Sequence, residues 1–135
     1  MTAVTKFFFR APYSLPTTGT VLRWWESRRL AYNLAVGTAG VLTLGVIALV
    51  DFLPPHARSF GVPWPAILVY AILANLFYSV GPALDALICR RWGRDFAEVG
   101  PTLFRYGFAF AVGLTLLPIP VALIGWALRI LKAIL

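Results

Sequence analysis

The sequence predicts an all-α membrane protein with three transmembrane helices, the third kinked at Pro118 and Pro120, and a short juxtamembrane helix ahead of the first. Composition is the first ground: 60% of the 135 residues are hydrophobic and 13% charged, against roughly 45–50% and 25% in ordinary soluble domains. A water-soluble monomer is thereby excluded. The second ground is the spacing of charge. Between Arg29 and Asp51 lie 21 uncharged residues, between Arg58 and Asp85 there are 26, and between Arg105 and Arg129 there are 23. Each run matches the ~20 residues a helix needs to cross the hydrocarbon core. The third ground is where the charges fall. The net charge of +7 sits at the ends of the apolar runs, where it reads as topology signal and anionic-lipid contact rather than as a nucleic-acid surface.

The chain divides into an N-terminal segment, residues 1–29, and a bundle, residues 30–131. Phe7, Phe8 and Phe9 are stopped by Arg10 and followed by Pro12 and Pro16, so this segment lacks the long apolar run and small-residue cleavage site of a secretory signal. Tyr13 to Thr20 reads as irregular. Thr20 is positioned to cap a helix beginning at Val21. That helix carries Leu22, Trp24 and Trp25 among Arg23, Arg28 and Arg29, a composition suited to headgroup depth or to running straight into the first span.

The spans are expected at about 30–50, 65–88 and 104–131. Pro54, Pro55, Pro63 and Pro65 bracket the first connection, and Gly93 with Gly100-Pro101 punctuates the second, leaving a short turn around Asp95 to Val99. Within the third span, Pro118 and Pro120 remove two backbone donors and free the carbonyls of Leu114 and Leu116. Two readings follow: a kinked crossing, or a hairpin that turns there and returns. The crossing is favoured, because ~14 residues cover only about 21 Å and a lipid-facing turn would strand polar backbone.

Orientation follows from Lys and Arg. Nine lie on the N-terminal side, from Lys6 to Arg29 and in the second connection through Arg105, and three on the other, at Arg58, Arg129 and Lys132. The positive-inside rule places the N-terminus in the cytoplasm and the C-terminus outside.

In lipid, small residues that permit close approach and polar residues that cross-link helices carry the information about packing. Ala31, Ala35, Ala39 and Thr43 recur every four residues in the first span, and Gly107, Ala111 and Thr115 in the third. These ladders suit packing within the chain or docking of another subunit. A three-helix bundle covers only part of each helix, so the first ladder, with Trp24 and Trp25, is expected to face outward as a partner-docking surface. The second span carries Asn75, Tyr78, Ser79, Pro82 and Asp85 within an arc of roughly 120° at about 100° per residue. Such groups are costly in hydrocarbon unless paired. On one reading Asn75 bonds a neighbouring helix and Asp85 pairs with Arg90, Arg91 or Arg105. On the other, Asn75, Tyr78, Ser79 and Asp85 line a proton or ion path.

Arg28-Arg-Leu-Ala-Tyr-Asn33, then Ala74-Asn75-x-x-Tyr78-x-x-Gly81-Pro82-x-x-Asp85, then Leu103-Phe104-Arg105-Tyr106-Gly107 together resemble a family of small, functionally uncharacterised bacterial integral membrane proteins. The likeness spans about Arg28 to Pro120. It implies a bacterial inner-membrane location and no particular activity. In that pattern the acid is often Glu, where this chain has Asp85.

One cysteine, Cys89, and one histidine, His56, exclude an internal disulfide framework, a bis-histidine haem site and the common zinc sites within a single chain, so no cofactor is expected. Ser14, Ser27, Ser59 and Ser79 have no His-acid framework beside them, and there is no phosphate-binding glycine loop. His56 reads as a loop residue, near Asp51 and Arg58 in an outer polar cluster. Cys89, beside Arg90 and Arg91, is a position open to palmitoylation. The sequence therefore points to a non-enzymatic accessory subunit of a larger membrane complex, with aromatic faces for lipid or a hydrophobic cofactor; the alternative is a self-assembling pore lined by the Asn75 to Asp85 stripe.

Overall fold

A computed structural model describes residues 2–9, 17–55, 60–92 and 99–135. It contains five helices and, among the described residues, no strand: α1 (Ala3–Phe9), α2 (Thr18–Phe52), α3 (Trp64–Trp92), α4 (Val99–Leu116) and α5 (Pro118–Ile134). Three stretches are long and apolar enough to cross a membrane: α2, α3, and α4 with α5 taken together. At 1.5 Å per residue the 35 residues of α2 extend about 52 Å, well beyond a hydrocarbon core of ~30 Å. The juxtamembrane helix is thus the first three turns of the first span and not a separate element.

Thr17 starts α2 in place of the expected Thr20. The Thr20 amide donates to Thr17 Oγ1 at 3.3 Å and the Thr17 amide donates to Thr20 Oγ1 at 2.9 Å, a reciprocal box that satisfies an otherwise orphaned helical N–H. The start of α4 also differs from expectation. Gly100 and Pro101 lie in its first turn and not in the connection, because the first amides of a helix need no partner within it and tolerate proline. Pro65 sits in the first turn of α3 for the same reason. The readings placed on Tyr13 to Pro16, on His56 with Arg58 and on the turn from Asp95 fall outside the described residues.

The third span is a kinked crossing. Leu117 joins α4 to α5, its amide still donating to the Gly113 carbonyl at 3.0 Å, and the axis bends by 24° there. The prolines remove donors without reversing the chain. The bend is braced from neighbouring helices: Thr43 Oγ1 of α2 donates to the Thr115 carbonyl at 2.8 Å, and the Tyr70 hydroxyl of α3 is bonded to that of Thr115, which within α4 donates to the Ala111 carbonyl at 2.7 Å.

Helix α2 is the centre of the bundle, packing on α3, α4 and α5, while α3 also meets α4 and α1 rests on α4. The core gathers near the N-terminal end of α2: Val21, Trp24, Trp25, Tyr32 and Val36 pack with Tyr78 of α3 and Phe104 of α4.

Candidate functional site

The antiparallel crossing of α2 and α3 places Trp25 beside Asp85, and the indole Nε1 donates to Asp85 Oδ2 at 2.9 Å. Both residues are 3% exposed. This corrects the arginine partner expected for Asp85: the register between the two helices brings an uncharged donor from α2, whereas Arg90 and Arg91 lie on the exposed end of α3. Two glycines make the fit possible. A Cβ at Gly81 would stand 2.5 Å from the Trp25 ring, and one at Gly100 would collide with the Asp85 carboxylate. Tyr78 then donates its hydroxyl to the Trp25 carbonyl at 2.6 Å, and its ring lies edge-on to Trp25 and tilted against Tyr32. Phe104 closes the cluster against both tryptophans.

Along the same α2–α3 seam, Tyr32 donates to the Ala74 carbonyl at 3.2 Å, Asn33 Nδ2 donates to Asn75 Oδ1 at 3.2 Å, and Arg29 donates to Ser79 Oγ at 3.3 Å. Asn75 therefore bonds a neighbouring helix. Of the stripe, Tyr78 and Asp85 are buried and Asn75 and Ser79 half-buried, and all four are engaged by groups on α2.

Arg28, read from the sequence as a flanking charge, is buried instead. Its Nη1 donates to the Trp24 carbonyl at 2.8 Å and to Ser27 Oγ at 2.9 Å, and Nη2 donates to the Phe7 carbonyl. The guanidinium lies 4.0 Å from the Trp24 ring centroid and 4.5 Å from that of Phe7, so cation–π contact fastens α1 to the start of α2. Arg29 forms a two-pronged pair with Glu26, at 2.7 and 2.9 Å, on the exposed side.

The docking surface expected on α2 is not an outward surface. Trp24 and Trp25 are core residues, Ala39 and Thr43 are 7% and 6% exposed, and Ala31 and Ala35 are half-buried. The reason is topological: α2 contacts all three later helices, so its small residues are used to seat them, as where Gly40 meets the Thr115 methyl at 3.8 Å. The surface left open lies elsewhere. Beside the Trp25–Asp85 bond, α3 and α4 diverge around a cavity of about 670 Å³, walled by aromatic rings that include Tyr32, Tyr70, Phe77, Tyr78, Phe104 and Phe108. Phe77, Tyr106 and Phe110, at its rim, are each about 70% exposed. Sequence reasoning missed this groove; its only trace was Gly107 and Ala111 on α4, read as a packing ladder.

Such a groove can hold an elongated apolar molecule by shape and aromatic contact, the hydroxyls of Tyr32, Tyr70 and Tyr78 being bonded within the bundle. Cys89 is half-buried. No group of three or more His, Cys, Asp or Glu side chains among the described residues is arranged to hold a metal ion. In comparison with known proteins, no family model and no solved structure matches the chain. The chain is similar to arylsulfatase H of Canis lupus familiaris, with 36% identity over 73 residues. That likeness covers 53% of this chain and 12% of arylsulfatase H, so it is a likeness to a minor part of a much longer protein.

Proposed function

We propose that the chain is a non-enzymatic accessory subunit of a larger membrane assembly whose α3–α4 groove takes up a lipid acyl chain or another extended hydrophobic molecule. It sits in the bacterial inner membrane with the N-terminus cytoplasmic and the C-terminus outside, as the nine-to-three Lys and Arg distribution favours. The observation that carries this reading is the groove: an apolar cavity within the range of about 300–1,000 Å³ typical of ligand sites, open between two spans and walled by rings. The polar stripe supports it from the other side. Its four groups are bonded to α2, so an ion path would require breaking the contacts that hold the bundle. Coverage supports it too. Only 6% of the most apolar stretch of the third span is buried, against 22% for the first, which leaves α4 and α5 as the face for lipid or a partner. The likeness to arylsulfatase H covers too little of that protein to bring its named activity here.

Gly107→Leu tests the groove. Gly107 lines it, and a Cβ there meets nothing within 4 Å, so the added side chain fills the groove without disturbing the backbone. The wild type is expected to co-purify with an apolar molecule, and the variant to fold normally and to purify without it. Purification in mild detergent tests the subunit role: a defined heteromeric assembly supports it. A homo-oligomer that conducts ions in planar bilayers overturns it in favour of a pore built on Asn75 to Asp85.

A further inference from the structure

Away from the groove, at the opposite end of the bundle, α2 and α5 enclose a second cleft, and we propose that it is a headgroup site for a zwitterionic phospholipid bearing a primary ammonium and a phosphodiester. The cleft has a volume of about 330 Å³ and is lined by Ile47, Val50, Asp51, Ala122, Gly125 and Arg129. One guanidinium and one carboxylate thus line the same space as a loose ion pair. Asp51 Oδ1 lies 3.9 Å from Arg129 Nη2, beyond hydrogen-bond reach. Arg129 Nη2 donates instead to the Val50 carbonyl at 3.0 Å, at the carbonyl end of α2, and Arg129 Nη1 is buried with no acceptor among the described residues. The cation is held in place but only partly satisfied.

Depth and shape agree with a lipid. Trp126 Nε1 donates to the Pro54 carbonyl at 2.9 Å, pinning α5 to the end of α2 with an indole, the ring type that sits at membrane–water interfaces. Ile47, Ala122 and Gly125 make the rest of the wall apolar or small, and a Cβ at Gly125 meets nothing within 4 Å, leaving room for the glycerol and first methylenes. Chemistry selects the headgroup. The guanidinium attracts a phosphodiester by charge, and a primary ammonium donates hydrogen bonds to Asp51, which a quaternary choline cannot. A headgroup of net negative charge satisfies Arg129 but is repelled by Asp51.

The test is native mass spectrometry of the full chain in detergent, titrated with phosphatidylethanolamine, phosphatidylcholine and phosphatidylglycerol of identical acyl chains. Phosphatidylethanolamine is expected to be retained roughly tenfold better than phosphatidylcholine, the ratio that one charge-assisted hydrogen bond supplies. Asp51→Asn is expected to erase that preference, and Arg129→Gln to lower retention of all three lipids. Equal retention of the ethanolamine and choline lipids by the wild-type chain, a comparison that depends on no variant folding, overturns the proposal. So does displacement of phosphatidylethanolamine by millimolar inorganic phosphate, which would make the cleft a simple anion site, and so does an unchanged preference in Asp51→Asn.

Discussion

Asp85 has its carboxylate against a glycine backbone and an indole N–H, a contact that offsets part of the cost of a carboxylate in a bilayer. A buried carboxylate without a donor costs more than the bond itself contributes, because the desolvation of the group remains when its partner is gone. Trp25→Phe keeps the ring and removes only the donor, so it is expected to destabilise the protein by about 2 kcal/mol in detergent unfolding. In an Asp85→Asn background the same change should cost less, since no charge is left stranded; a double-mutant cycle with no coupling would show that the indole bond is incidental. Asp85 was legible in the sequence as a group needing a partner. The partner was not, because Trp25 stands among arginines and reads as an interfacial belt residue, and only the register of two antiparallel helices brings 25 and 85 together. Gly81 and Gly100 were hidden for the same reason: a glycine in a sequence signals a turn as readily as a close approach.

The existence of three spans followed from the charge-free runs, and the kink from Pro118 and Pro120, since both depend on local chemistry alone; helix length did not, because the helices run on past the flanking charges, to 35 residues in α2 and 29 in α3. Which face of α2 turns inward depends on the order of packing, and there the sequence suggested the wrong side. Ala39 and Thr43 lie against other helices of the chain, so Ala39→Leu is expected to loosen the bundle itself by about 1–3 kcal/mol through overpacking, visible as a lowered melting temperature in detergent. Retained stability with loss of a co-purifying partner would restore the outward ladder. The Asn33–Asn75 bond is the matching polar brace between α2 and α3. Asn75→Leu should cost about 1 kcal/mol, within the range of ~0.6–2 kcal/mol for interhelical polar contacts in membranes. Asn33→Leu should add little to it if the two amides act mainly on each other, whereas full additivity measured by thermal unfolding would show that each has a separate partner.

At the scale of the whole molecule the two ends of the bundle differ in kind. The N-terminal end is closed by rings, by Arg28 over Trp24 and Phe7, and by the Trp25–Asp85 bond; the far end is tied by Trp126 and Arg129 to backbone carbonyls of the α2 terminus. In the orientation proposed above the first end faces the cytoplasm, and burial of Arg28 leaves Arg23, Arg90, Arg91 and Arg105 exposed on that side. A continuous third span of 36 residues bent by 24° then carries the chain to the opposite side, which the hairpin alternative would not. A cysteine introduced at residue 134 in a Cys89→Ser background is expected to react with an impermeant maleimide added outside intact cells, and one at residue 23 only after the membrane is opened. Protection of residue 134 from outside, with labelling only in inverted vesicles, would return the C-terminus to the cytoplasm. The cleft of Asp51 and Arg129 would then lie in the other leaflet, since Arg129 stands within two turns of the labelled residue on α5.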